Sequence, residues 1–273
     1  MLNGKPANPV LSMAVFSALE IFQSRIFLIL TIAALGIPLF GLIVASLFMM
    51  DLGKVYYDVL IAGSNLTSIV YCLFVCGHML AKDIENQICH LFITAPMQRW
   101  HYQMGRFLGI TFVFLILTLT LGLGGALGAM AYMNEGAVIL EVNPLWAFAA
   151  AGFVAFQYLS ILGGVFFIAS WATGLAEIMF FSFAFVAFSW TFPPILEAMR
   201  MPEVMERIPA DLATFVQALY GILPHLNSYQ FAVMLPHGHL PDARNAFWFA
   251  LEHIAYAGAG LSLAFWFFRR RDL

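Results

Sequence analysis

The sequence predicts an all-α membrane protein, and three observations carry that prediction. Charged residues make up 10% of the chain and apolar residues 62%, whereas soluble domains carry about 25% charged residues. Apolar runs recur at about 20 residues, the length a helix needs to cross roughly 30 Å of hydrocarbon. Most of the few charges collect between those runs. A mean hydropathy of +0.88 leaves no stretch polar enough for a separate soluble domain, and the formal net charge of −3 says little as a total.

The opening MLNGKPANP is too poor in positive charge for a cleaved signal peptide, and the apolar run that follows continues as a full span. In PVLSMAVFSALEIFQSR (9–25), Leu11, Val15, Leu19 and Phe22 share one helical face while Ser12, Glu20 and Gln23 fall elsewhere. That pattern suits a helix lying in the inner interface ahead of the first span. Spans are expected at 26–50, 59–80, 107–133, 145–170, 178–196 and 247–268. Residues 145–196 hold a single charge, Glu177, and are too long for one span, so a hairpin turning near WATGLAE (171–177) divides them. Trp146, Trp171, Trp190, Trp248 and Trp266 fall near the expected span ends, where indoles favour the interface. Cys72 and Cys76, four apart in the second span, read as small packing residues, and no disulfide framework is expected.

An even number of spans puts both ends of the chain on one side. With the ends inside, the inner segments hold Lys5, Arg25, Lys82, Arg99, Arg106, Arg269, Arg270 and Arg271, against Lys54, Arg200, Arg207 and Arg244 outside. The excess, and above all the Arg triplet after the last span, places both termini in the cytoplasm. The outer segment 197–246 is broken by Pro202, Pro209, Pro224, Pro236 and Pro241. Within it LATFVQALYGILP (212–224) is too short to span and too apolar for a free loop, which predicts an interfacial or re-entrant helix.

The connector KDIENQICHLFITAPMQRWHYQMGRFLG (82–109) is unusually charged for this chain. Ile84, Ile88 and Leu91 recur at helical spacing, with Asp83, Glu85, Asn86 and Gln87 on other faces. Pro96 disfavours helix at Ala95, so one short helix ends near Ile93 and a second starts near Met97, carrying Arg99 and Trp100 into the third span. Asp83, Glu85, Pro96, Arg99, Trp100, Gly105 and Arg106, in that order, resemble the segment after the second span in ABC type-2 permeases, the membrane subunits of certain ATP-binding cassette exporters. The N-terminal interfacial helix and the ending FRRRDL (268–273) are similar to that family as well.

The resemblance implies that 82–106 is a coupling segment docking on a cytosolic ATPase, with Asp83, Glu85, His90, Arg99 and Arg106 as contacts or hinge-bracing charges. It further implies a second permease copy, an inner-membrane location, and ATP with Mg bound only by the partner ATPase. No cofactor is expected in this chain and no nucleic-acid partner.

Subtraction leads to a compatible place. Spans 107–133, 145–170 and 178–196 contain no ionisable residue of the kind a secondary transporter uses to couple ion flow. None of Lys5, Lys54 and Lys82 fits a GxxxxGK[ST] phosphate loop, and HExxH is absent. An apolar or amphipathic cargo taken from the bilayer, and power supplied by another chain, fit these facts. Two other readings stay open: a non-transporting scaffold docking an extracytoplasmic protein through 197–246, and an intramembrane enzyme using Glu252 and His253.

LPHGHLP (235–241) pairs His237 with His239, near His225 and Met234. Such ligands suit copper or zinc, but the leading reading is an ordinary loop of a Met-rich chain. Gly124 and Gly128 form a GxxxG that fits close helix approach, within the chain or between copies. Glu177 either braces the cytosolic turn or marks it.

Overall fold

A helix lets an uninterrupted apolar run satisfy its own backbone in hydrocarbon, and the described structure is built from helices. A computed structural model describes residues 8–47, 52–86, 98–134, 143–199, 201, 209–222, 224, 226 and 242–270, with no strand among them. In chain order the helices are α1 (Pro9–Phe22), α2 (Arg25–Ser46), α3 (Leu52–Val70), α4 (His78–Glu85), α5 (Arg99–Asn134), α6 (Leu145–Trp171), α7 (Leu175–Met199), α8 (Ala210–Ile222) and α9 (Ala243–Arg270). A π-helical stretch, Tyr71–Gly77, joins α3 to α4 without a break.

Five helices are long and apolar enough to cross a membrane: Arg25–Ser46, Gly53–Glu85, Arg99–Met130, Leu145–Trp171 and Leu175–Met199. The protein is thus an all-helical chain of multi-pass membrane character. With 28 residues, α9 has the length, but Arg244, Glu252 and His253 interrupt its apolar run and it is not among the five.

Local chemistry sets several boundaries. Asn8 caps α1, its side chain accepting from Val10 N, and Pro9 occupies the first turn, where a missing N–H costs nothing. The interfacial helix expected over 9–25 stops at Phe22. Ser24 then takes extended backbone and accepts from Phe27 N at 3.1 Å, starting α2 and making a sharp elbow. The helix through the second span reaches beyond 59–80 at both ends, including Lys54, Asp58, Lys82 and Asp83. Within the π-helical stretch every residue is buried except Phe74.

The core gathers Tyr71, Cys72, Phe114, Tyr158, Ile161 and Val165 between the second, third and fourth spans. Close approach is secured by small residues. Gly124 faces Pro38 of α2, and Tyr56 of α3 occupies the space a side chain on Gly128 would need while donating to Gly125 O at 2.8 Å. The GxxxG pair therefore serves packing within the chain. A second pinch joins α6 to α9, where Gly163 lies against Ala257 and Gly260.

Candidate functional site

The charged connector residues gather at one end of the helices, and α1 is what organises them. Its apolar face, Leu11, Val15, Leu19 and Phe22, is exposed as an interfacial helix requires. The opposite stripe, Met13, Ser17, Ala18 and Ile21, is buried, and α1 lies along α5. Backbone approaches backbone there: a Cβ on Gly109 would come within 2.5 Å of Ala14 O, and one on Gly105 would overlap the Met13 side chain. Gly105 and Gly109, one turn apart, form a small-residue seam for α1.

Arg106, between these glycines, is 1% exposed and is the largest fully buried side chain among the described residues. Its Nη1 donates to Glu20 Oε2 and its Nη2 to Asp83 Oδ1, both at 2.6 Å. Nη1 also lies 3.3 Å from Ser17 Oγ, whose own proton goes to Met13 O at 2.8 Å. Tyr102 donates to the other Asp83 oxygen at 2.5 Å. Lys82 Nζ stands 3.7 Å from Glu20 Oε1. Two cations thus face two anions, and one guanidinium fork fastens α1, α4 and α5 together. A buried charge is tolerable only when paired and hydrogen-bonded in this way. Arg106 Nε and Gln103 Oε1 have no hydrogen-bond partner among the described residues, and both residues line a cavity of about 30 Å³, the size that accommodates one water.

The remaining connector charges reach further elements. Glu85 accepts from Leu175 N at 3.0 Å, capping α7 across the turn that follows α6. Glu177 closes the same turn from inside, accepting from Thr173 N at 2.8 Å and from Thr173 Oγ1 at 3.0 Å. Arg99 Nη1 donates to the backbone oxygens of Phe268 at 3.4 Å and Arg269 at 3.3 Å, while Tyr102 stacks on Phe268 with ring centroids 6.2 Å apart. Removing the Glu85 carboxylate by Glu85→Ala is expected to free the Leu175 amide. Its hydrogen exchange should rise roughly fivefold, the weight of one net hydrogen bond, while amides deeper in α7 stay unchanged.

The structure brings together Asp83 and Arg106 and connects Glu85 and Arg99 to α7 and α9. His90, Pro96, His237 and His239 lie outside the described residues. Among the described residues no group of three or more His, Cys, Asp or Glu is placed to hold a metal ion. His253 is buried in the α6–α9 seam, its Nδ1 3.3 Å from Ser160 Oγ and its ring against Phe249.

Two participants were not singled out from sequence. Glu20 reads there only as one of the residues off the apolar face, and Ser17 carries no reading of its own. The spacing Gly105-x-x-x-Gly109 was the available signal that a helix lies across the start of the third span. In comparisons with known proteins, the chain matches no family model and no curated protein.

Proposed function

We propose that the chain is the membrane permease subunit of an ATP-driven exporter of the ABC type-2 class, working as a pair of such subunits with a separate cytosolic ATPase. In this reading α9 is a sixth span, both termini lie in the cytoplasm, and the ATPase acts on the segment 82–106. The observation that carries the reading is how the described ends of that segment are anchored. Asp83 and Arg106 lock them to each other and to α1, Glu85 ties one end to α7, and Arg99 ties the other to α9. A push delivered between residues 86 and 98 reaches five helices together instead of deforming a loop.

Other features agree. Both α2 and α7 are mostly unburied, exposing Leu28, Ile29, Ile32 on one and Phe180, Phe183, Trp190 on the other. Such faces suit lipid and a second copy. Beyond Arg106, α5 carries no charged side chain among its described residues, and neither does α6. This composition favours an apolar or amphipathic cargo over a hydrated ion.

The test begins with gentle purification of tagged chain from its native membranes. An ATPase subunit bearing a GxxxxGK[ST] loop should accompany it in stoichiometric amount. In that complex Glu85→Lys or Arg99→Ala should lower transport about tenfold at near-normal ATP hydrolysis, the size of a typical coupling free energy. Undiminished transport in both variants removes the coupling role. An outer-face partner with no ATPase removes the permease reading in favour of a scaffold.

A further inference from the structure

A cavity of about 450 Å³ opens at the elbow between α1 and α2, against the π-helical stretch and α4. It is lined on one side by Arg25, His78, Lys82 and Glu20 and on the other by apolar residues including Ile26 and Phe74. Arg25 is the first residue of α2, and His78 and Lys82 stand one turn apart on a single face of α4. Both Arg25 and His78 are exposed and have no hydrogen-bond or ion-pair partner among the described residues. Among the described residues Lys82 has the longer contact with Glu20, whose other oxygen is committed to Arg106. Glu20 and Asp83 balance Arg106 and Lys82, so the positive charge of Arg25 has no ion-pair partner among the described residues.

From this we infer that the elbow binds the phosphate headgroup of a membrane phospholipid. Three donors converge on a space of the size of ordinary ligand sites, and a phosphate satisfies guanidinium and ammonium donors at once. What selects a lipid over free phosphate is the apolar half of the same cavity and its rim. Phe22, Ile26, Ile29 and Phe74 are 43%, 39%, 65% and 49% exposed. In a chain whose helices are fit to cross a membrane, such side chains face acyl tails. The basic residues therefore stand where the apolar surface ends, at the level of headgroups. A lipid held there uses both halves of the cavity and pins the angle between α1 and α2. The site does not rest on the transport reading.

The experiment uses the full chain, purified in detergent, stripped of lipid and titrated with phosphatidylglycerol under native mass spectrometry. One saturable lipid per chain is expected. Arg25→Gln should weaken it roughly fivefold and Arg25→Gln with Lys82→Gln more than about tenfold, given the contribution of each cation near a lipid phosphate. Arg25→Lys should retain most of the binding, and because Arg25 is exposed this pair decides the matter even if the double variant unfolds. Diacylglycerol, with tails but no phosphate, should not bind, and inorganic phosphate in excess should not displace the lipid. Equal binding by wild type and Arg25→Gln, or equal retention of diacylglycerol, overturns the site. Displacement by inorganic phosphate overturns its assignment to lipid.

Discussion

Arg106→Gln is expected to destabilise the folded chain by about 3–5 kcal/mol, the usual cost of removing one partner from a buried ion pair. Arg106 is buried together with Asp83, and its loss leaves that carboxylate buried beside Tyr102 without its guanidinium counter-charge. Glu20 suffers less, being 26% exposed and close to Lys82. Arg106→Lys should recover little, because one ammonium cannot reproduce two parallel N–H···O bonds to carboxylates on different helices. Arg106→Met combined with Asp83→Leu should regain most of the loss, since replacing both charges removes the desolvation cost along with the attraction. Tryptophan fluorescence during thermal unfolding in detergent reads all three. Wild-type stability in Arg106→Gln would mean that α1 is not fastened to α5 by this cluster at all.

The same cluster shows what was legible in the sequence and what was not. Helices follow from composition and run length, because an apolar chain in hydrocarbon has few other ways to satisfy its amides. Boundaries follow less well. Lys54, Asp58, Lys82 and Asp83 end the apolar run of the second span, yet the backbone stays helical through them. Hydropathy reports where the bilayer ends, whereas backbone hydrogen bonds report where the helix ends. The π-helical turns at Tyr71–Gly77 leave no mark that composition can detect.

Asp83, Glu85, Arg99 and Arg106 stand out in sequence as charges in a charge-poor chain, but their partners do not. Glu20 meets Arg106 from 86 residues away in the chain, a contact that helical periodicity cannot foresee. The periodic signal of α1 pointed to Leu11, Val15, Leu19 and Phe22, the exposed stripe. The buried stripe is quieter because Ser17 must fit against Arg106 and Gly109, where there is little room for bulk.

Gly163→Val should be as damaging as the loss of Arg106, by a different route. A Cβ on Gly163 would meet Ala257 Cα at 2.8 Å and Ala257 O at 2.9 Å, and one on Gly260 would meet Gly163 O at 2.6 Å. Backbone stands on both sides, so no side chain can rotate away and α9 must move off α6. The contacts that flank the pinch go with it: the edge-on Phe153–Phe249 and Phe167–Phe267 pairs and the approach of His253 to Ser160. Overpacking of this kind costs about 1–3 kcal/mol before such neighbours are lost, so a total above roughly 3 kcal/mol is expected. Gly152 on α6 and Gly258 on α9 have no heavy atom within 4 Å of a built Cβ, and they supply matched controls. Gly152→Ala and Gly258→Ala should be neutral or gain up to about 1 kcal/mol from helix propensity. His253 provides a second readout, since diethylpyrocarbonate should modify its peptide in Gly163→Val and spare it in wild type, where the ring is buried. If the valine variant keeps both its unfolding midpoint and a protected His253, α6 and α9 are not in backbone contact. The hold of the last helix would then have to come from the Arg99 and Tyr102 contacts at its far end.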